Sequence, residues 1–211
     1  MKKQITAALI AAVVGLLPLQ PAQAEWDQES LSVVSDGLDA FWGSFLRRLG
    51  VNYAYPVVYS HNNTEITPCG PSVLAHYCSR SNSIHLNMTQ MNRLANRIGD
   101  SAGYFALAHE YGHSVQRHLG MLKKEIPLVV LELHADCLAG AFFAATNHVG
   151  ILESGDLEEG VTMAMMTGDY NYEHSSHHGT PKQRAIAFLT GFDDPRSCFN
   201  SEFESVVNVR H

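Results

Sequence analysis

The chain has 211 residues, with 14 Lys+Arg against 21 Asp+Glu for a formal charge of −7, 45% hydrophobic and 17% charged residues. That length and composition fit one domain with a sizeable core and exclude both a disordered chain and a multi-span membrane protein. An acidic balance with no Lys/Arg cluster excludes nucleic acid as the partner, because phosphate binding needs a basic face.

Lys2 and Lys3 precede an apolar run over 5–17, which Pro18 breaks ahead of Ala22-Gln23-Ala24. A basic start, an apolar stretch and a small-x-small site make residues 1–24 a signal peptide, leaving 25–211 as the mature domain. The run is short of the about 20 apolar residues that span a bilayer, so no stable membrane insertion is expected after cleavage. A retained N-terminal anchor is the alternative. The expected location is periplasmic or secreted, where disulfides form. Cys69 and Cys78 bracket a short loop with Pro68, Gly70 and Pro71, which suits a local bridge and leaves Cys137 to pair with Cys198 over a long range. Four cysteines formally allow three connectivities.

Along the mature chain, Leu31, Val34, Leu38, Phe41, Trp42, Phe45 and Leu49 recur at helical steps and predict a helix closed by Gly50. Residues 53–59 read as a strand and 60–82 as a polar, turn-rich loop. The alternation of 83–87 predicts a short strand. As an edge, its Ser83, His85 and Asn87 would hold an extended peptide by backbone hydrogen bonds; a plain structural strand is the alternative. A helix through Leu94 and Ile98 ends at Gly99, and a longer one begins at Asp100 or Ser101 and runs to Gly120. Pro127 opens a helix that is apolar almost all round to Ala145, hence buried. A helix at 157–166 follows, then a His-rich loop over 173–179. The capping box of Thr180 and Gln183 starts a last helix that Gly191 is expected to close. The fold class is α+β, mostly helical with a small sheet, in a single domain.

The chemistry concentrates in two of these helices. His109-Glu110-Tyr111-Gly112-His113 is a His-Glu-x-x-His motif. Four residues are 400° of helix, so the imidazoles lie about 40° apart and about 6 Å along the axis. Both can reach one tetrahedral metal, with Glu110 beside the open position. On the apolar helix Glu132 and Asp136 share one face. Unpaired carboxylates there would cost several kcal/mol. A metal and a ligating imidazole would satisfy them, with Glu132 as third ligand and Asp136 orienting His109 or His113; pairing with Arg or backbone groups is the alternative. Arg184 is a candidate carboxylate partner inside the fold. His174, His177 and His178 could bind a second metal or belong to a solvated loop.

The paired motifs resemble those of the gluzincins, the thermolysin-like zinc peptidases. With Thr67-Pro68-Cys69-Gly70, Tyr77-Cys78, 131–140, 152–159, Thr167-Gly168-Asp169, His178-Gly179-Thr180, Gln183-Arg184 and Gly191-Phe192 in that order, the chain is similar to the bacterial neutral zinc metallopeptidases from about residue 53 to 200. Ser114, His134 and Phe188 depart from that family's His, Gln and Trp. The resemblance implies a zincin-like fold and one Zn2+ per chain on His109, His113 and Glu132. It also implies Glu110 as general base for the zinc-activated water that attacks a peptide bond, and His178 as a donor to the tetrahedral intermediate. A peptide or protein is the implied substrate. A zinc amidase acting on peptidoglycan and a non-catalytic, zinc-stabilised envelope binding protein are the competing classes.

Overall fold

The first helix sets the frame in the computed structural model, which describes residues 26–200; the expected signal peptide lies outside the described residues. Helix α1 spans Gln28–Arg48, capped by the Asp27 carboxylate accepting from the Ser30 N–H at 2.8 Å. It buries Leu31, Leu38, Trp42 and Leu46, and the chain leaves it through Gly50 at φ +73°. Strand β1, Val57–His61, begins four residues later than periodicity suggests. Pro56 has no N–H to give, and the ladder starts where Val57 donates to the Asn82 carbonyl.

The stretch expected to be loop contains three short strands: β2 Glu65–Thr67, β3 Gly70–Ser72 and β4 Ala75–Cys78. β2 and β3 form an antiparallel hairpin. β4 joins β5, Ser83–Asn87, in a three-stranded sheet of order β1-β5-β4, parallel between β1 and β5 and antiparallel between β4 and β5. Strand β5 is therefore the centre of the sheet and not an edge, which removes its proposed role. Ser83 and Asn87 are buried, and Asn87 caps α2, Met88–Arg97, by accepting from the Gln90 N–H. The sheet's inner face presents Tyr77, Ile84 and Leu86 to the core.

Helix α3, Ser101–His118, and helix α4, Leu128–His148, form the centre of the core, flanked by α5, Asp156–Met166, and α6, Pro181–Asp193. Among the described residues α4 alone is long and apolar enough to cross a membrane, yet 131–143 are buried within the protein, the setting of a core helix. Helix α6 starts with the expected capping box, but it runs past Gly191 to Asp193. That glycine serves contact and not termination: a Cβ there would meet the Cys137 carbonyl oxygen at 1.9 Å, and one on Gly140 would meet that of Phe188 at 1.9 Å. Two glycines thus let α4 and α6 cross backbone to backbone. Disulfides Cys69–Cys78 and Cys137–Cys198 adopt the local-plus-distant pairing, the second tying α4 to a closing 3₁₀ turn, Pro195–Phe199.

Candidate metal centre and active site

Gly112, inside the His-Glu-x-x-His motif, is what brings α3 onto α4. A Cβ at that position would meet the Ala135 Cα and carbonyl oxygen at 3.0 Å, and Ala135 lies between Glu132 and Asp136. The close approach puts the His109 Nε2 at 3.3 Å from one Glu132 oxygen and the His113 Nε2 at 3.5 Å from the other. The rings stand nearly perpendicular, 86° apart, with centroids at 4.7 Å. All three donor atoms lie within 4.8 Å of one another, so the group could hold a metal ion.

Behind these side chains is a second, almost wholly buried layer. The His109 Nδ1–H donates to Asp136 Oδ1 at 2.9 Å, and Arg184 clamps the same carboxylate through Nε and Nη2, both at 2.7 Å. Asp136 is 0% and Arg184 3% exposed. The guanidinium also reaches the Thr167 carbonyl and stands 3.6 Å from Glu132. A planar fork matched to a carboxylate suits this burial better than an ammonium would. Both sequence readings of Asp136 therefore meet in one residue, which orients an imidazole and also pairs with an arginine.

Charge decides what the pocket accepts. Glu132 and Asp136 are buried against one guanidinium, with Glu110 alongside. Burial disfavours a charged His109, but hydrogen bonds to Asp136 and Glu132 outweigh it and raise its pKa to about 10. Burial likewise opposes a charged His113, and Glu132 raises its pKa. The imidazoles in turn hold Glu132 well below the usual carboxylate range against the effect of burial. Two imidazoles and a carboxylate that draw positive charge between them are the nitrogen and oxygen donors a zinc ion takes.

Glu110 turns away from the donor set toward the sheet, where its Oε2 accepts the Tyr77 N–H at 2.7 Å. Since Tyr77 spends its N–H on Glu110, residues 75 and 77 direct their backbone groups away from β5. Strand β4 is the edge that faces the cavity, a role sequence reasoning assigned to Ser83, His85 and Asn87. The cavity, about 550 Å³, is lined by His109, Glu110, His113, Glu132, residues 74–77 and His178, with an apolar wall including Phe105, Leu122, Leu128, Leu131 and Met163.

His178 reaches the cavity from the loop before α6. Its backbone N–H and its Nδ1 both meet Asp169 Oδ2, at 2.9 and 3.3 Å, while His177 holds Oδ1 at 2.5 Å. Burial raises the Asp169 pKa, but these hydrogen bonds outweigh it and hold the carboxyl well below its ordinary value. Among the described residues the histidine loop is not a metal group: the second cluster whose donor atoms lie within 4.8 Å is Asp100, Asp156 and Glu159, away from this loop. Sequence reasoning missed Tyr77 and Gln116; Gln116, three residues after His113 on α3, accepts its Nδ1–H at 3.0 Å, and the i, i+3 spacing was the available signal.

A family model described as "putative neutral zinc metallopeptidase" matches residues 18–201. The uncharacterized protein YpfJ of Escherichia coli is 29% identical over 88% of this chain and 79% of its own length. The uncharacterized protein Rv2575 of Mycobacterium tuberculosis is 29% identical over 79% of this chain and 68% of its own. No solved structure matches at a significant level.

Proposed function

The chain belongs to the neutral zinc metallopeptidase family, and from that premise we propose that it is an exported zinc peptidase cleaving peptide bonds in the cell envelope. His109, His113 and Glu132 would hold one zinc ion. The observation that carries this reading is the convergence of those donors beside Glu110 in a cavity whose rim is a strand edge. Bound zinc supplies a Lewis acid that polarises the scissile carbonyl and acidifies water.

The chain's own residues do the rest. Glu110 accepts the proton of the attacking water and delivers it to the departing amine. An extended substrate lies along β4, bonding to the outward N–H and carbonyl of Ala75 and the carbonyl of Tyr77, whose N–H is held by Glu110. His178, with Nδ1 committed to Asp169, presents Nε2 to the carbonyl oxygen as negative charge develops there. The apolar wall favours a large hydrophobic side chain next to the scissile bond. Export is supported by the segment 1–24 and by two disulfides, which persist in oxidising compartments.

The test is cleavage of a peptide library by the zinc-loaded mature chain 25–211, with a chelator control. Chelator-sensitive cleavage next to apolar residues supports the proposal. No peptide cleavage at one zinc per chain overturns it, and chelator-sensitive cleavage of peptidoglycan instead would place the enzyme among the amidases.

A further inference from the structure

Two buried residues outside the donor set, Gln116 and His134, are joined to His113 in one continuous hydrogen-bonded line. Gln116 is 0% and His134 2% exposed, so each polar atom needs a partner. The His113 Nδ1 lies 3.0 Å from Gln116 Oε1. The Gln116 amide nitrogen lies 2.6 Å from the Leu131 carbonyl and 3.2 Å from His134 Nδ1. His134 Nε2 in turn lies 3.1 Å from the Cys198 carbonyl.

Donor and acceptor roles along this line admit a single solution. The Leu131 and Cys198 carbonyls can only accept. The amide must therefore direct its NH₂ at Leu131, because a flipped amide would set oxygen against oxygen at 2.6 Å. Its second N–H meets His134 Nδ1, which must accept, and His134 Nε2–H donates to Cys198. With Nδ1 accepting and Nε2 donating, His134 is the neutral Nε2–H tautomer. What remains for Gln116 Oε1 is to accept, and the proton it accepts is the Nδ1–H of His113. In the neutral ring, that leaves the His113 lone pair on Nε2, directed at the Glu132 side.

We infer that Gln116 is the positioning residue that fixes the tautomer and ring plane of His113, and that His134 fixes Gln116. The two imidazoles of the donor set are thus oriented by different chemistry. His109 leans on a charged carboxylate–guanidinium pair, and His113 on a neutral amide held by a carbonyl and a second histidine. The line ends on Cys198, so the Cys137–Cys198 disulfide anchors one end of the support for a proposed metal ligand. This inference rests on the zinc reading for its affinity measurement but not for its tautomer measurement, which uses metal-free protein.

The experiment compares Gln116→Leu, His134→Leu and His134→Gln. In metal-free wild type, nitrogen NMR of labelled histidine should show neutral His113 wholly as the Nδ1–H form at a pH above its titration. Gln116→Leu should mix the two tautomers, and competition with a chromophoric chelator should show zinc held about 10–100-fold more weakly. His134→Leu should weaken zinc by less. His134→Gln should restore wild-type affinity, since a glutamine can accept from Gln116 and donate to Cys198, a rescue that mere packing loss would not show. An unchanged His113 tautomer and zinc affinity in Gln116→Leu overturns the inference. Should that variant fail to fold, equal zinc affinities in His134→Leu and wild type would overturn it instead. Normal zinc binding without peptide cleavage would defeat the proposed function and leave this inference standing.

Discussion

His109 and His178 face one cavity from opposite kinds of structure. His109 sits on a helix interior, its Nδ1 bonded to a carboxylate that is itself clamped by a buried arginine. His178 sits on a loop, its side chain 44% exposed, bonded to an Asp169 that is itself part exposed. Buried charge pairs are costly to rearrange, because moving one partner strands the other, whereas an exposed pair is screened and yields cheaply. A metal site needs fixed donors before the metal arrives. A group that follows charge developing on a substrate can tolerate, and use, some freedom. On the proposed function, the rigid wall would hold the metal and the loop wall would adjust to the substrate.

On that division, variants should separate by what they damage. The largest effect expected is from Glu110→Gln, a loss of about 10²–10⁴-fold in peptide turnover with zinc retained, since the hydrogen bond of Glu110 goes to Tyr77 and not to a proposed ligand. Turnover and metal analysis on the same sample check it; near wild-type turnover at one zinc per chain would remove Glu110 as the base. On the loop wall, His178→Ala should cost about 10²–10³-fold in turnover while zinc content and Tm stay unchanged. A fall in Tm with turnover per folded molecule intact would make His178 a packing residue, and His174→Ala is the control.

On the helix wall, Asp136→Asn should weaken zinc by about 10–100-fold. It should also lower Tm, because Arg184 then stays buried without its counter-charge. Equal zinc affinity would leave Asp136 as a purely structural partner of Arg184. Asp169→Asn should reduce turnover by less than His178→Ala, since the asparagine oxygen can still accept from the His178 N–H. The smallest effect is on pH dependence. Because the Asp169 pKa is depressed in the folded state, its contribution is fully present above its ordinary value and is lost as pH falls through the folded value. Hydrogen exchange should therefore show the 169–178 loop opening in acid before α3 or α4, and Asp169→Asn should abolish that difference.

Much of the rigid wall was legible in the sequence because it is periodic. His109, His113, Glu132 and Asp136 each repeat at four residues, and a helix turns that spacing into a shared face without further information. The sheet was less legible. Alternation in 83–87 marks a strand but does not say how many neighbours it has; β1 was legible as a strand, whereas β4, the other partner, is four residues inside a stretch that reads as loop. Gly191 was read as a stop because glycine often ends helices, whereas here it admits the backbone of another helix, a contact no local pattern encodes. Gln116 was only half legible for a related reason: its i, i+3 spacing from His113 is local, but its other partners are not. A buried amide gains its meaning from Leu131 and His134, which only the crossing of α3 and α4 brings within reach.

The Arg184 clamp has a consequence for the order in which the protein is made. All three candidate ligands and Asp136 leave the ribosome before Arg184, which follows Asp136 by 48 residues. Until α6 emerges, the Asp136 carboxylate has no guanidinium to accompany it into the core, and ionised burial would be strongly unfavourable. A nascent segment carrying the whole His-Glu-x-x-His motif is therefore still without a finished metal pocket. Completion waits on nearly the last helix, so a truncated translation product ending before residue 184 should take up zinc poorly despite containing every proposed ligand.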